Sequence, residues 1–358
     1  MTQHLSRLVR ITVLCVLALG GTWSSMASAT LAGKNVILVH GFQASDLSSN
    51  PNDAALQTQA NNYWSAYWLN RAEEVLYWSS VDRVSGGIKD KIRSQVLAIA
   101  RGTRCVAGCV VVTHSTGDLV TRYMLRNVNN WLSSAGIDPN RFRILAVLDF
   151  AGAGGGTEIA DLAVSIGNGS GFFNSIQRSA VELALGFRPD SSNLGVLYDL
   201  QPNTARNIAT GNNAVPRLRF AGTGASYGGL TKPFIAGADD GVVPLHSACG
   251  ASTKGDYDSC SRSVSPNGIL QSVSAAPASL YFNHYVVLMG EQTNHGQAID
   301  NSRSGNVTTV SNNQVLGGLS VDFDTYTQRK WWSFFRQVRW VTNGDSYSMS
   351  DNVFRTLN

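Results

Sequence analysis

Apolar positions along this chain fall into two spacings. Mostly apolar runs at 35–39, 74–78, 109–113, 142–150, 217–222 and 280–289 read as strands, the aliphatic run at 36–39 being unbroken. A strand with no polar alternation is one covered on both faces, as in a parallel sheet. Between these runs the spacing turns helical. A helix is predicted over about 54–70, where Trp64, Tyr67 and Trp68 form a heavy apolar side, and another over 87–100, where Ile88, Ile92, Val96 and Ile99 recur at helical intervals. A third follows residue 115, with Leu119, Val120, Tyr123 and Met124 in register, and runs to about 135, where Gly136 and Pro139 punctuate it. From 151 to 215 the pattern loosens into Gly-, Asn- and Ser-rich tracts holding two helical pieces, 159–166 and 173–185. So long an interruption between core strands predicts a lid-like insertion or binding loop. The last expected element is an amphipathic helix over 326–341, carrying Trp331, Trp332, Phe334, Phe335, Val338 and Trp340. Strand and helix alternate almost throughout, which predicts an α/β fold with a mainly parallel sheet flanked by helices.

The first 29 residues stand apart from this pattern. Arg7 and Arg10 precede an apolar run from 11 to 21, and Ala27-Ser28-Ala29 supplies a small-x-small cleavage pattern. That combination predicts a cleavable export signal, hence a secreted or periplasmic protein, with one large domain over 30–358. The apolar run is short for a permanent span, and Cys15 lacks the context of a lipid anchor. Loss of the two arginines lowers the formal charge from +4 to +2. A nearly neutral chain without a basic stripe makes nucleic acid an unsuitable partner. Four cysteines remain, Cys105, Cys109, Cys249 and Cys260, and an even number in an exported chain favours disulfides. Proximity suggests Cys105 with Cys109 and Cys249 with Cys260, although three pairings are open.

The chemistry concentrates where the third helix begins. In Thr113-His114-Ser115-Thr116-Gly117 a β-branched strand breaks at a serine and becomes a helix, the setting of a nucleophile elbow, usually G-x-S-x-G, with Thr113 in place of the first glycine. A strict match occurs at Gly224-Ala225-Ser226-Tyr227-Gly228, but Gly229-Leu230-Thr231-Lys232-Pro233 after it starts no regular helix. Ser115 is therefore the candidate nucleophile, with Ser226 its rival. A serine hydroxyl needs a base, a carboxylate to orient that base, and donors for an oxyanion. Asp240 lies after the 217–222 strand, with Gly241 permitting the turn; Asp239 is the alternative. His295 follows the last strand at what would be its carboxyl end, whereas His284 precedes it. His295 is preferred and His284 stays open, while His40 and His114 suit backbone or packing roles. Backbone N–H groups of Thr116, just past the serine, and of Phe42, just past His40-Gly41, would serve an oxyanion hole.

Taken in order, His40-Gly41-Phe42, the Ser115 elbow, Asp240-Gly241-Val242-Val243-Pro244 and the late His295 resemble the α/β-hydrolase superfamily, most closely its secreted bacterial lipases and esterases. The acid stands where that superfamily places it. The stretches Gly155-Gly156-Thr157-Glu158-Ile159-Ala160-Asp161 and Asp199-Leu200-Gln201-Pro202 are similar to the loop and lid-closing segments of those enzymes. The resemblance implies a compact α/β-hydrolase fold and a Ser115–His295–Asp240 triad cleaving carboxylic esters through an acyl-enzyme. It also implies an ester or lipid substrate and transient contact with a lipid interface. The segments around Phe172-Phe173 and 183–187 would cap or line an acyl site, or form a buried core helix. No cofactor is implied. A structural calcium is left open, because no aspartate follows His295 at the spacing of the calcium-holding lipases. A peptidase, thioesterase or polyester depolymerase on the same fold, or a non-catalytic binding protein, are the alternatives.

Overall fold

The computed structural model describes residues 30–358 apart from 172, 209, 210, 212, 271, 272 and 332–335. The expected export signal, Phe172, and Trp332, Phe334 and Phe335 of the expected terminal helix therefore lie outside the described residues.

The aliphatic runs become β1 (Asn35–Val39), β2 (Glu74–Leu76), β3 (Cys105–His114), β4 (Phe142–Phe150), β5 (Arg217–Gly222) and β6 (His284–Gly290). They pair in parallel in the order β2-β1-β3-β4-β5-β6, and β7 (Val307–Thr309) closes one edge antiparallel to β6. Successive residues feed opposite faces, as a pleated strand must. Ile37, Val39 and Val111 enter one core, while Val36, Leu38, Val110 and Val112 enter the other. Burying each such side chain is worth roughly 1.5–3 kcal/mol, which is why residues 36–39 and 109–112 carry no polar alternation.

Helices cover both faces. On one side lie α3 (Lys89–Arg101) and α4 (Gly117–Ser134), contributing Ile92, Val96, Leu119 and Met124. On the other, Trp64 at the end of α2 (Asp53–Trp64) shares a core with Met349, Val353 and Leu357 of the C-terminal α9 (Met349–Leu357). Short helices α1 (Ala44–Ser49) and α8 (Leu245–Ala248) lie in the loops after β1 and β5. Between β4 and β5 the chain forms α5 (Glu158–Gly167), α6 (Ser175–Leu185) and α7 (Pro202–Ile208). Asp199 ties this excursion to the domain, accepting from Arg83 Nε at 2.9 Å and from the Val84 amide at 2.7 Å. The disulfides are Cys105–Cys109 and Cys249–Cys260, the pairing that proximity suggests.

The expected helix over 326–341 is incorrect. The chain there forms β10 (Thr325–Arg329) and β11 (Gln337–Val341), antiparallel with Tyr326 opposite Trp340; β8 (Gln314–Leu316) and β9 (Leu319–Val321) pair just before them. Val338 and Trp340 are buried between an exposed Gln337 and a half-buried Arg339, so the period along β11 is two and not helical. The terminal helix is instead α9, whose signal is a Ser348 cap accepting from the Asp351 amide, followed by Met349, Val353 and Leu357 one turn apart. Three boundaries also move. The 54–70 helix stops at Trp64, β2 stops at Leu76, and β6 begins at His284 after Asn283 takes a left-handed φ of 57°. Nor is β6 the last strand, since β7 adds an antiparallel edge.

Candidate active site

The strand order reverses between β1 and β3, because the chain runs outward from β1 to β2 and then crosses back to β3. In an open parallel sheet that reversal leaves a crevice at the carboxyl ends of the two strands. His40-Gly41-Phe42 and Ser115 emerge at those two ends.

Ser115 has φ of 56°, a left-handed conformation that a residue other than glycine adopts at a cost. The surroundings hold it there. Its amide donates to Phe150 O at 3.2 Å, and its carbonyl accepts from Ala153 N at 2.8 Å and Asp118 N at 3.1 Å. The glycine after the serine is required by packing: a Cβ on Gly117 would lie 2.2 Å from Val39 O. The glycine before it is dispensable because Thr113 has a place to go. Thr113 pairs with Asp149 across β3 and β4, and its Oγ1 donates to Asp149 Oδ1 at 2.9 Å. Burial pushes the Asp149 carboxyl up to about 7, the guanidinium of Arg219 at 3.0 Å opposing the shift. Asp118, in the first turn of α4, is also buried. There the guanidiniums of Arg219 and Arg217 outweigh burial and hold the carboxylate ionised, well below its usual range.

The acid loop is equally over-determined. Asp240 Oδ1 accepts from the amides of Val242 at 3.0 Å and Val243 at 2.7 Å, which leaves Oδ2 for His295 Nδ1, 2.8 Å away. Backbone pairing reinforces the contact, with His295 N donating to Asp240 O at 3.1 Å. Asp239 turns elsewhere and accepts from the Gly241 amide. His284, the other base candidate, is buried at the start of β6 against Arg219 and lines a different cavity. A cavity of about 590 Å³ brings Ser115 and His295 together with Phe42, Val242 and Ile299. The elbow serine and the acid–histidine pair thus share one opening at the carboxyl ends of a parallel sheet. The fold is the α/β-hydrolase fold.

No protein-family profile matches the sequence, and no curated protein does. Among solved structures, the mature form of lipase BlEst2 from Bacillus licheniformis aligns at 16% identity over 74% of this chain and 86% of that one, with a TM-score of 0.42. Its propeptide form aligns over 60% of this chain but only 43% of its own, with a TM-score of 0.37. EstA from Clostridium botulinum aligns at 12% identity over 77% and 85%, with a TM-score of 0.39.

Phe42 leaves β1 across the mouth of the elbow. A Cβ on Gly41 would come 2.8 Å from Ser115 Cβ and 2.3 Å from the Tyr63 hydroxyl oxygen, so only glycine lets this loop pass so close. His40 holds the loop from behind: Nδ1 donates to Gly41 O at 2.7 Å, Nε2 accepts from Trp78 N at 3.3 Å, and the ring stacks on Trp78. Burial lowers its pKa to about 4, so the ring is neutral at pH 7. Thr116 caps α4 directly after the serine. Ser226, the rival nucleophile, donates its Oγ to Asp240 O at 2.7 Å and braces the acid loop.

His114 takes a backbone role, as expected, and Tyr63, to which sequence reasoning gave no role, holds its ring. His114 Nε2 lies 2.9 Å from His295 O, which can only accept, so Nε2 carries the proton and Nδ1 accepts from the Tyr63 hydroxyl at 2.5 Å. Burial, then the neighbouring His295, drives the His114 pKa well below its usual value. A neutral His114 thereby anchors the backbone of His295. Position 114 in the elbow was a visible signal; Tyr63 on α2 left none. Of the expected acyl segment, Ala184 lines the cavity and Phe187 packs against Phe42 at 6.4 Å between ring centres, whereas Leu183 is exposed. Among the described residues, no group of three or more His, Cys, Asp or Glu side chains is placed to hold a metal ion.

Proposed function

We propose that the chain is an exported serine hydrolase of carboxylic esters acting through Ser115, His295 and Asp240. The observation that carries the reading is the Asp240 Oδ2–His295 Nδ1 hydrogen bond of 2.8 Å beside an elbow serine with φ of 56° in the same cavity. Ser115 Oγ adds to the ester carbonyl carbon while its proton passes to His295 Nε2. Asp240 steadies the resulting imidazolium through Nδ1–H. The tetrahedral oxyanion is held by the amides of Phe42 and Thr116. Collapse expels the alcohol, which takes the proton from His295 and leaves an acyl group on Ser115. Water then repeats the sequence with His295 as base, releasing the acid and restoring the serine.

An ester, with a leaving group that needs little help, suits a cavity whose walls include Phe42, Ala184, Tyr227, Val242 and Ile299 around one serine and one imidazole. Export rests on the 1–29 segment and on two disulfides, which persist in oxidising compartments. A serine-directed fluorophosphonate followed by peptide mass mapping tests the nucleophile. Labelling of Ser115 in the wild type, its loss in Ser115→Ala and its retention in Ser226→Ala are expected. No labelling of the wild type, or labelling that survives Ser115→Ala, overturns the reading. On matched p-nitrophenyl ester, thioester and anilide substrates, kcat/KM should be highest for the ester; a higher value for either of the others overturns the substrate class.

A further inference from the structure

A second cavity, of about 380 Å³, shares no lining residue with the one around Ser115. Its walls come from the first residues of β5 and β6, Arg217 and His284, from Arg122 and Arg126 on α4, and from Tyr281. Two donors in the lining have no partner in the protein. Arg217 is 1% exposed; its Nη1 donates to Asp118 Oδ1, while its Nη2 is buried with no hydrogen-bond partner. The Tyr281 hydroxyl is likewise buried without a partner, and its ring is held in place under the guanidinium of Arg122, 4.0 Å from the ring centre. His284 Nδ1 lies 3.1 Å from Arg219 Nη1, a donor, so in the neutral ring Nδ1 accepts and Nε2 carries the hydrogen.

Guanidinium groups gather in this part of the molecule. Arg217 and Arg219 pair with the carboxylates of Asp118 and Asp149, and Arg122 adds its charge to the field felt by Asp118 and His284. Natural interiors rarely leave buried donors unmade, and unmade donors set among guanidiniums suit an acceptor that is itself negative. A cation is repelled here, and an acyl chain finds arginines and asparagine where it needs apolar wall. The planar fork of arginine matches the oxygens of a tetrahedral oxyanion.

We propose that this cavity binds an oxyanion of the phosphate class, either free inorganic phosphate or the phosphate group of a small organic phosphate. Arg217 Nη2 and the Tyr281 hydroxyl would be its buried donors, with Arg122 and Arg126 supplying charge. The proposal is independent of Ser115, and its test does not use hydrolysis. Isothermal titration calorimetry of the full mature chain, at constant ionic strength set with sodium chloride, uses inorganic phosphate and glycerol 3-phosphate as separate titrants. Saturable binding of at least one is expected, with Kd raised about tenfold by Tyr281→Phe and by Arg126→Gln, each of which removes one charge-assisted contact. Binding of inorganic phosphate assigns the site to the free anion, and binding of glycerol 3-phosphate alone assigns it to an organic phosphate. Because the Tyr281 hydroxyl has no protein partner to lose, Tyr281→Phe should leave the ligand-free melting temperature unchanged. No saturable binding of either titrant, binding undiminished in both variants, or a lowered ligand-free melting temperature in Tyr281→Phe would each overturn the proposal.

Discussion

Replacing Asp240 with asparagine isolates the orienting role of the acid, because the structure dictates which way the new carboxamide faces. Asp240 Oδ1 accepts two backbone N–H groups, from Val242 and Val243, at 3.0 and 2.7 Å. An asparagine has one oxygen, and turning its NH2 toward those amides would set donor against donor. The oxygen therefore stays at the Oδ1 position, and the NH2 takes the place of Oδ2, 2.8 Å from His295 Nδ1. Nδ1 must then accept, the proton moves to Nε2, and the imidazole can no longer take the proton of Ser115. In Ser–His–Asp hydrolases the wrong tautomer lowers kcat by about 10⁴, or roughly 5.5 kcal/mol of transition-state stabilisation at 1.36 kcal/mol per tenfold. Both loop hydrogen bonds survive the exchange, so Asp240→Asn should fold and melt close to the wild type. The assay is kcat/KM on a p-nitrophenyl ester, with a thermal melt as the folding control. A well-folded Asp240→Asn protein within about tenfold of wild-type kcat/KM would refute the tautomer argument, because an effect that small is worth only about 1.4 kcal/mol.

Three further outcomes follow from the same geometry. Ser226→Ala removes the hydroxyl that braces Asp240 O and should cost about 1 kcal/mol of stability while leaving kcat within about tenfold, measured by denaturant titration and ester turnover; a thousandfold loss would instead point to Ser226 as nucleophile. Gly117→Ala drives a Cβ against Val39 O and should lower the melting temperature by roughly 5 °C or more, since neither backbone can yield cheaply; an unchanged melt would show that α4 can move off β1. His40 has its pKa depressed from 6.5 to about 4, so between those values the unfolded chain binds a proton that the folded chain refuses. Stability from this group is complete above pH 6.5 and is lost as pH falls toward 4, by up to about 3 kcal/mol. Denaturant titrations at pH 7 and 4.5 should show that drop reduced in His40→Asn, whereas equal drops in the two proteins would exclude His40 as its source.

Local pattern was enough for much of this protein. Mostly apolar runs marked six parallel strands because a doubly covered strand buries both faces, β5 being the one whose Arg217 and Arg219 alternate with apolar residues and are buried as ion pairs, and the strand–serine–helix break at 113–117 is a chain-local event. Cys105 and Cys109, and Cys249 and Cys260, are each near enough in sequence for proximity to suggest the pairs that form. Where strands pair antiparallel near the C-terminus the same reasoning failed: 326–341 carries enough aromatic residues to satisfy a helical stripe, and only pairing across the hairpin decides for period two. Other decisions needed three dimensions altogether. The preference for His295 over His284 rested on which end of β6 each occupies, but the 2.8 Å contact with Asp240 joins loops 55 residues apart. That Thr113 is tolerated depends on Asp149 across the sheet, that Ser226 braces an acid depends on Asp240, and that His114 holds His295 depends on a Tyr63 hydroxyl from a distant helix. The unpartnered Arg217 and Tyr281 donors belong to the same kind. Periodicity reports which face of an element is apolar, because burial acts on each residue through its own surface. Hydrogen bonds and charge act between specific atoms at under 4 Å, and which atoms meet is settled only when the strands have taken their order.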